Sequence, residues 1–442
     1  MSVRAFLSAS FFAAALGGCG GGSTPGAPPP FQPPPPAKQG KYFKHIVILV
    51  QENRTFDNLF ATFPGADGTT VGKTHNGTIL LRPADLESPI SPNNGHSFWL
   101  RDYNHGKMNG FDLVPPDKYV YQYVHPSQIR PYWDLAEQYV LSDHMFQTQG
   151  SGSFTAHQDL IRGDTAINAT FNLIDFPTGG ADQPWGCDAN PGTKTSLVTA
   201  DNDWKQYINT GPFPCLTYRT LRDLLDAKSL SWRYYVPAVG SFGGNLWNAF
   251  DAIKAVRYGA QWSTNVVNPE TKVFTDISRD TLPSVAWVVP DYQNSDHPGD
   301  HSDTGPAWVA QVVNAIGESP AWKTTAIVVV WDDWGGWYDH VRPPGPLRYG
   351  GEGFRVPAIV VSPYAKTGYV SHREYAFGSI IRFVEENWSL PSLGTTDKTS
   401  ASFVDDFFDF SQKPRSFSAI PSKYARSYFL HQQPSNHAVD DE

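Results

Sequence analysis

Four short runs of apolar residues are predicted to form buried strands, at residues 46–50, 287–289, 327–330 and 358–361. The apolar residues in these runs are continuous and do not alternate with polar ones. This pattern is typical of strands covered on both faces, as in a largely parallel sheet. Helical periodicity lies between and after them, at residues 131–138, 221–227, 307–316 and 375–387. The pattern therefore predicts an α/β fold, with a mostly parallel central sheet and helices on both faces.

The remaining segments fit less well into this alternation of strands and helices. Residues 165–280 have weak periodicity and many Trp, Asn and Gly residues, which indicates an insertion or cap near the site. Residues 413–442 are polar and are predicted to wrap the surface as a C-terminal tail. The main folded domain is thus expected to span residues 41–412.

The first 40 residues are typical of an exported and tethered protein. Residues 1–18 contain Arg4 and then a short apolar run, as in a signal peptide, and the run is too short to span a bilayer. Leu16-Gly17-Gly18-Cys19 resembles a bacterial lipoprotein cleavage box, although an ordinary signal peptide with an incidental cysteine is the alternative. Residues 19–40 would then be a lipidated Cys19 and a Gly- and Pro-rich tether. We expect a periplasmic or cell-surface lipoprotein anchored to a bacterial membrane.

Composition narrows the class of protein. The chain has 442 residues, of which 40% are hydrophobic and 17% charged, which excludes a disordered chain and a multi-span membrane protein. The formal net charge of −9 argues against a nucleic-acid partner.

If Cys19 is acylated, two cysteines remain, Cys187 and Cys215. In an exported chain these most simply form one disulfide.

Hard oxygen ligands follow two of the predicted strands. Glu52 and Asn53 come just after the first run, and Asp332 and Asp333 come just after the third. Ligands of open α/β sheets bind beyond the carboxyl ends of the strands, and neighbouring carboxylates repel unless a positive charge separates them. We predict one divalent cation there, Ca²⁺, Mg²⁺, Mn²⁺ or Zn²⁺. The alternative is that these acids cap helices or pair with arginines.

A hydroxyl-rich loop and several histidines are further candidates. Residues 148–158 are rich in Ser, Thr and Gly, but they lack the Gly-x-Ser-x-Gly elbow of an α/β-hydrolase. His96 and His297 lie in polar loops, where histidines act as general acids or as donors to anionic oxygens when a metal is near. Asp339 and His340 are predicted to hold the loop after Asp333.

Four longer sequence blocks carry further information. They are Glu-Asn-Arg-Thr-Phe-Asp at residues 52–57, Gly-Lys-Met-Asn-Gly-Phe at 106–111, Trp-Asp-Asp-Trp-Gly-Gly-Trp-Tyr-Asp-His-Val at 331–341 and Arg-Val-Pro-Ala-Ile-Val-Val-Ser-Pro at 355–363. In order and spacing they resemble the blocks of the bacterial phospholipase C and acid phosphatase group of phosphoesterases, over residues 41–395. The resemblance implies an alkaline-phosphatase-like fold and hydrolysis of phosphoric esters.

The resemblance also implies roles for individual residues. The family's metal ligands correspond to Glu52, Asn53, Asp332 and Asp333, and its nucleophile corresponds to Ser153, which would also contact the metal. The family's Gly-Pro-[Ser/Thr] block is Ser-Gly-Ser here, so Ser151 and Thr155 remain alternatives. The family histidines that contact phosphate correspond to His96 and His297, which we expect to be catalytic. A further family histidine is replaced by Phe377, which implies a phosphate pocket with one donor fewer, or one supplied by His301. We also expect His157, at the end of the hydroxyl-rich segment, to bind substrate.

The implied mechanism is attack of Ser153 on phosphorus, followed by hydrolysis of the phosphoserine by water. Two substrate classes remain open, phosphomonoesters and phospholipids such as phosphatidylcholine. A surface lipoprotein that binds a ligand through its many aromatic residues, without catalysis, is the alternative from a different class.

Overall fold

The computed structural model describes residues 33–178, 184–238, 240, 246–345 and 348–435. All of these residues belong to one compact unit that begins at Pro33. The predicted signal peptide and Cys19 lie outside the described residues. No helix within the described ranges is long and apolar enough to cross a membrane.

The strands, in chain order, are as follows. They are β1 His45–Gln51, β2 Val71–Thr74, β3 Gly77–Leu80, β4 Arg82–Ala84, β5 Gln122–Val124, β6 Val140–Phe146, β7 Phe171–Ile174, β8 Ser196–Thr199, β9 Trp232–Tyr235, β10 Val266–Val267, β11 Val285–Val288, β12 Thr325–Trp331, β13 Arg355–Val361, β14 Tyr369–Ser371 and β15 Tyr375–Ala376.

The α-helices of the described ranges are α1 Phe56–Phe60, α2 His96–Tyr103, α3 Arg130–Gln138, α4 Ser153–Arg162, α5 Leu221–Ala227, α6 Lys254–Arg257, α7 Gln261–Thr264, α8 Lys272–Ser278, α9 Gly305–Gly317, α10 Phe377–Trp388 and α11 Arg426–His431.

The central sheet has the strand order β10-β9-β11-β1-β12-β13-β6-β14, with β15 also paired to β6. Neighbours from β10 to β12 are parallel. β13 runs antiparallel to both of its neighbours, and β14 and β15 run parallel to β6. The predicted α/β fold with a mostly parallel sheet is confirmed.

The central strands are long apolar runs because both faces of the sheet are covered. β1, β12 and β13 are buried at every position. α9 packs against α3 and α8, and α4 packs against α5 and α10. The apolar run in β13 looks the same in sequence as those of the parallel strands, because continuous apolarity reports burial on both faces and not strand direction.

The segments that fitted the strand–helix alternation poorly, residues 165–280 and the C-terminal segment, are ordered in different ways. Within residues 165–280, β7 and β8 form a separate antiparallel ribbon, whereas β9 and β10 join the central sheet. Cys187 and Cys215 form the predicted disulfide. The C-terminal segment packs back onto the domain, because Phe429 of α11 is buried and its ring lies against Trp308.

Candidate functional site

The carboxyl ends of β1 and β12 bring four predicted ligand residues together. The two strands pair in parallel with Gln51 opposite Trp331, so the residues that follow them leave the sheet side by side. The backbone N–H of Asn53 donates to Asp332 Oδ1 at 3.0 Å. Glu52, Asn53, Asp332 and Asp333 are all almost completely buried. The parallel register thus places the two pairs against each other.

Ser153 completes this group from a third element, the first turn of α4. Its hydroxyl lies 3.0 Å from Asp333 Oδ2 and 3.4 Å from Asn53 Oδ1. The two alternative hydroxyls have other partners, since Ser151 Oγ accepts from the Asp175 backbone and Thr155 donates to the Gly152 carbonyl. Among the three, Ser153 is therefore the residue whose hydroxyl faces the carboxylates.

The helix start also provides backbone donors beside the Ser153 hydroxyl. The first turn of an α-helix leaves N–H groups without intrahelical partners, and the helix dipole adds partial positive charge there. In α4 the first intrahelical donor is Ala156, which bonds to the Gly152 carbonyl. These N–H groups have no partner among the residues that the structure describes, and a phosphoryl group at Ser153 would meet them, an arrangement that recurs at phosphate sites.

His157 lies one turn further along α4 and contacts the carboxylates from the same helix. Its Nε2 lies 3.1 Å from Glu52 Oε1 and 3.6 Å from Asp332 Oδ2, and its side chain is fully buried. The indole ring of Trp247 stacks on its imidazole with the ring centroids 6.3 Å apart. We expected His157 to contact substrate, and the structure places it among the expected metal ligands.

Three buried carboxylates meet here, and no Lys or Arg side chain of the described residues forms an ion pair with them. Burial raises the pKa of Glu52 well above its usual range, and the nearby Asp332 raises it further. Burial and Asp332 have the same effect on the pKa of Asp333. The nearest imidazole does not supply the missing charge, because burial lowers the pKa of His157 to about 4.

The donor set fits a divalent cation. The ligand atoms of Glu52, His157 and Asp332 all lie within 4.8 Å of one another. Asp332 Oδ2 is buried and has no hydrogen-bond partner among the described residues. Such an orphaned oxygen costs free energy unless something positive approaches it. A cation within this group would satisfy that oxygen and keep the carboxylates ionised at neutral pH.

Asn94 and Gly335 fix the position of Asp333. Asn94 Nδ2 and the backbone N–H of Gly335 both donate to Asp333 Oδ1, at 3.0 and 2.7 Å. Gly335 has φ +56°, and a Cβ there would lie 2.1 Å from the carbonyl oxygen of Asn53. Asn53 itself has φ +58°, a left-handed conformation that Asn tolerates better than most residues.

His96 lies beside the loop that carries Ser153. It begins α2, and its Nδ1 lies 2.7 Å from the Gly150 carbonyl. Its Nε2 is buried and has no hydrogen-bond partner within the described ranges. Burial lowers the pKa of His96, so the ring is neutral at physiological pH and Nδ1 carries the proton donated to Gly150. The Nε2 lone pair is then left to accept a proton.

The two histidines that follow β11 differ in their surroundings. His297 is buried, and its ring packs against Tyr292 and Trp247, the latter also being stacked on His157. The same loop is tied to the site because the Glu52 N–H donates to the Ser295 carbonyl. His301 is exposed. The structure thus joins His297 to the site through one shared indole ring.

Asp339 and His340 link the loop after β12 to the segment after β1. The Asp57 N–H donates to Asp339 Oδ2 at 3.3 Å, and His340 Nδ1 lies 2.7 Å from Asp57 Oδ2. Arg355, which is fully buried, pairs with both Asp339 and Asp57. These contacts hold together the two segments that carry the carboxylate pairs.

Sequence reasoning did not single out Asn94, Trp247 or Arg355. Asn94 lies in the polar loop just before His96, and Arg355 begins one of the four family blocks. No local signal marks either as a partner of a site residue, because each bond closes a separation of more than ten residues along the chain. Trp247 was one of many Trp residues in a segment without clear periodicity.

Comparison with known proteins places the chain in a family. The model of the Phosphoesterase family matches residues 43–391, which is most of the chain. The chain therefore belongs to the Phosphoesterase family.

Several curated relatives carry phospholipase C names. The chain is 26% identical to a non-hemolytic phospholipase C of Pseudomonas aeruginosa over 79% of this chain and 54% of that protein. It is 24% identical to phospholipase C B of Mycobacterium tuberculosis, with 84% and 78% covered. It is also 24% identical to the non-specific phospholipase C6 of Arabidopsis thaliana, with 82% and 71% covered. The chain spans about half the length of the Pseudomonas relative.

A solved structure with similarity to the chain is a protein in the alkaline phosphatase superfamily from Vibrio parahaemolyticus. It is 11% identical, with 86% of this chain and 74% of that chain covered and a TM-score of 0.40.

Proposed function

We propose that this protein is a metal-dependent hydrolase of phosphoric esters with Ser153 as its nucleophile. One observation carries the proposal: the Ser153 hydroxyl at a helix N-terminus lies 3.0 Å from one of three buried carboxylates, with which no Lys or Arg of the described part of the chain forms an ion pair. Membership of the Phosphoesterase family and the phospholipase C names of relatives support the same reaction class.

The residues that would hold the metal are Glu52, Asn53, Asp332, Asp333 and Ser153, with His157 Nε2 as a nitrogen ligand. When bound, the metal supplies positive charge that favours the ionised serine hydroxyl and balances the phosphoryl oxygens. An imidazole ligand favours Zn²⁺ or Mn²⁺ over Ca²⁺, which takes oxygen ligands almost exclusively.

Ser153 loses its proton to solvent, and its Oγ attacks phosphorus. The Oγ–P bond forms as the bond from phosphorus to the leaving alcohol breaks, and protonated His297 gives its proton to the leaving oxygen. The N–H groups at the start of α4 hold the phosphoryl oxygens. Water then attacks the phosphoserine and loses a proton to His96 Nε2, the Oγ–P bond breaks, and the phosphate product leaves. Ser153 and His297 each take up a proton from solvent and His96 releases one, which restores the starting state. His301 contributes a further donor from the exposed rim.

The test is the variant Ser153→Ala, with hydrolysis of p-nitrophenyl phosphate and of phosphatidylcholine measured side by side. Loss of the nucleophile should lower kcat by about three orders of magnitude or more on any accepted substrate. Thr155→Ala is the matched control on the same helix turn and should keep its activity. Unchanged turnover in Ser153→Ala, with the fold intact by circular dichroism, would refute the assignment.

The two-substrate assay also decides between phosphomonoesters and phospholipids. The phospholipase C names of the relatives favour the lipid ester. The partly exposed ring of Trp204, which meets His96 edge-on, offers an amphipathic surface for it close to the site. A chain that binds phosphatidylcholine vesicles with no turnover of either ester would instead be a non-catalytic binding protein.

We also propose that the protein is exported and anchored through lipid on Cys19. The disulfide supports an oxidising compartment, where such bonds persist. Expression in a bacterial host with labelled palmitate should label the wild-type chain and leave Cys19→Ala unlabelled. Equal labelling of both chains, or none of the wild type, would disprove lipidation at Cys19.

A further inference from the structure

Aspartate and histidine side chains alternate along a second group that does not include the Ser153 site. We name it the Asp–His chain, and it consists of Asp57, His340, Asp67, His144, Asp143 and His372. The successive contacts are Asp57–His340 at 2.7 Å, His340–Asp67 at 3.3 Å, Asp67–His144 at 3.3 Å, His144–Asp143 at 2.9 Å and Asp143–His372 at 2.7 Å.

The residues of the Asp–His chain come from separate parts of the fold. Asp57 lies in α1, Asp143 and His144 in β6, and His372 just after β14. It runs from full burial at Asp57 to the surface at His372, whose side chain is 59% exposed. A solute can therefore reach its outer end directly from solvent.

The contacts within the Asp–His chain require a positive charge beside its carboxylates. Both ring nitrogens of His144 face carboxylate oxygens. A neutral imidazole carries only one N–H, so one nitrogen of His144 needs either an added proton or a metal ion. The guanidinium of Arg355 lies at the inner end, where it pairs with Asp339 and Asp57 and lies 3.3 Å from His340 Nδ1.

The outer end of the chain has the features of a metal site. One ligand atom each from Asp143, His144 and His372 lie within 4.8 Å of one another. His144 presents Nδ1 to this group, while its Nε2 lies 3.3 Å from Asp67 Oδ2. Metal-binding histidines commonly donate their second ring N–H to a carboxylate in this way, which fixes the ring and its tautomer.

We propose that Asp143, His144 and His372 bind a second divalent cation of the Zn²⁺ class, with Asp67 orienting His144. Two imidazole nitrogens and one carboxylate oxygen are a ligand set that Zn²⁺ accepts, with water in the remaining position. Bound there, the cation joins β6 to the segment after β14. This site is independent of the proposed catalytic residues and does not rest on the proposed function.

The test is the Zn²⁺ content of the full folded chain after chelation, gel filtration and reloading with Zn²⁺ alone. Wild-type protein should retain one equivalent more than His372→Gln. Asp333→Asn removes a carboxylate of the Ser153 site and should still show the His372-dependent equivalent. His431→Gln is the matched control, because His431 is also exposed and lies outside the Asp–His chain.

Two further measurements separate the metal from a protonated network. His372→Cys loaded with Co²⁺ should gain a thiolate-to-cobalt charge-transfer band in the near ultraviolet, which His431→Cys should lack. Asp67→Asn should weaken Zn²⁺ binding at this site by about 10–100-fold, the usual effect of losing a carboxylate behind a histidine ligand. Equal Zn²⁺ content in wild type and His372→Gln would overturn the proposal and leave an imidazolium–carboxylate network only.

Discussion

At the scale of single residues, His157 has the greatest consequence for which metal the proposed site would bind. It is placed by helical spacing, because residues four apart on α4 lie on the same face as Ser153. Its Nε2 contacts Glu52 and Asp332, whereas the hydroxyl of Ser153 contacts the neighbouring Asp333. A site of oxygen ligands alone would suit Mg²⁺ or Ca²⁺, and one imidazole changes that preference.

We predict that His157→Gln shifts the metal preference of the Ser153 site. Removing the nitrogen ligand should weaken Zn²⁺ binding at least about tenfold and leave Mg²⁺ binding nearly unchanged. Calorimetric titration with each metal measures both constants, with Asp143→Asn in the background to silence the proposed second site. His301→Gln serves as the control, and an equal loss of affinity for both metals would contradict a ligand role.

A second residue-scale prediction concerns pH and His45. This residue opens β1, its side chain is buried, and its Nδ1 donates to the Pro283 carbonyl at 2.8 Å. Burial lowers its pKa to about 4 in the folded chain, whereas the unfolded value is about 6.5. Between these values the unfolded chain binds a proton that the folded chain does not, so stability falls as the pH falls.

The variant His45→Asn keeps a donor for Pro283 and removes the titrating group. Its stability should depend less on pH between about 6.5 and 4, by an amount on the order of 3 kcal/mol across that window. Urea unfolding of both proteins at several pH values measures the difference. Parallel pH profiles for wild type and His45→Asn would show that His45 does not contribute.

At the scale of elements, the site depends on how closely the loop after β12 approaches the segment after β1. Gly335 lies against the segment after β1, because any side chain there would overlap the Asn53 carbonyl. The loop is held in this position by the bond from Gly335 N–H to Asp333 and by the Asp57–Asp339 contact behind it. The two strand ends thus form one unit, although neither is a site alone.

We predict that Gly335→Ala weakens metal binding and lowers activity while the domain stays folded. The matched control is Gly65→Ala, because Gly65 also has a positive φ, +80°, but has no atom within 4 Å of the added Cβ. Both variants should lose about 1–2 kcal/mol of stability from the left-handed backbone. Only Gly335→Ala should lose metal affinity in addition, and equal metal affinity in the two variants would contradict the steric argument.

At the scale of the whole molecule, the sheet brings the site together from distant parts of the chain. Ser153 follows β6, whereas the carboxylates follow β1 and β12, and α10 packs against α4 on the same domain. The region between residues 165 and 280 takes part in this framework, since β9 and β10 extend the sheet. The disulfide closes a long loop within that region.

We predict that the double variant Cys187→Ser/Cys215→Ser loses stability mainly in this region. The bridge closes a loop of 28 residues, and the chain-entropy estimate for such a loop is about 3–4 kcal/mol. Urea unfolding with and without reductant, together with limited proteolysis, measures the effect. Wild type under reducing conditions should match the double variant, and cleavage outside residues 187–215 alone would contradict a local role.

Much of this architecture was readable from the sequence because buried central strands must be apolar on both faces. The runs at residues 46–50 and 327–330 fall within β1 and β12, and the polar residues that follow them meet as expected. The direction of β13 and the entry of β9 into the sheet were not readable, because pairing partners are chosen over long separations. The contacts of His157 and the Asp–His chain were invisible for the same reason.

The sequence by itself determined that four apolar runs form buried strands and which residue types follow them, since burial and periodicity are local properties of the chain. Only the tertiary structure decided which ends meet. It placed the hydroxyl of Ser153, and not those of Ser151 or Thr155, against the carboxylates. It also placed His157 in contact with Glu52 and brought the six residues of the Asp–His chain into successive contact. Distances of a few ångströms between residues far apart in the chain follow from sheet register and helix packing, and no local pattern encodes them.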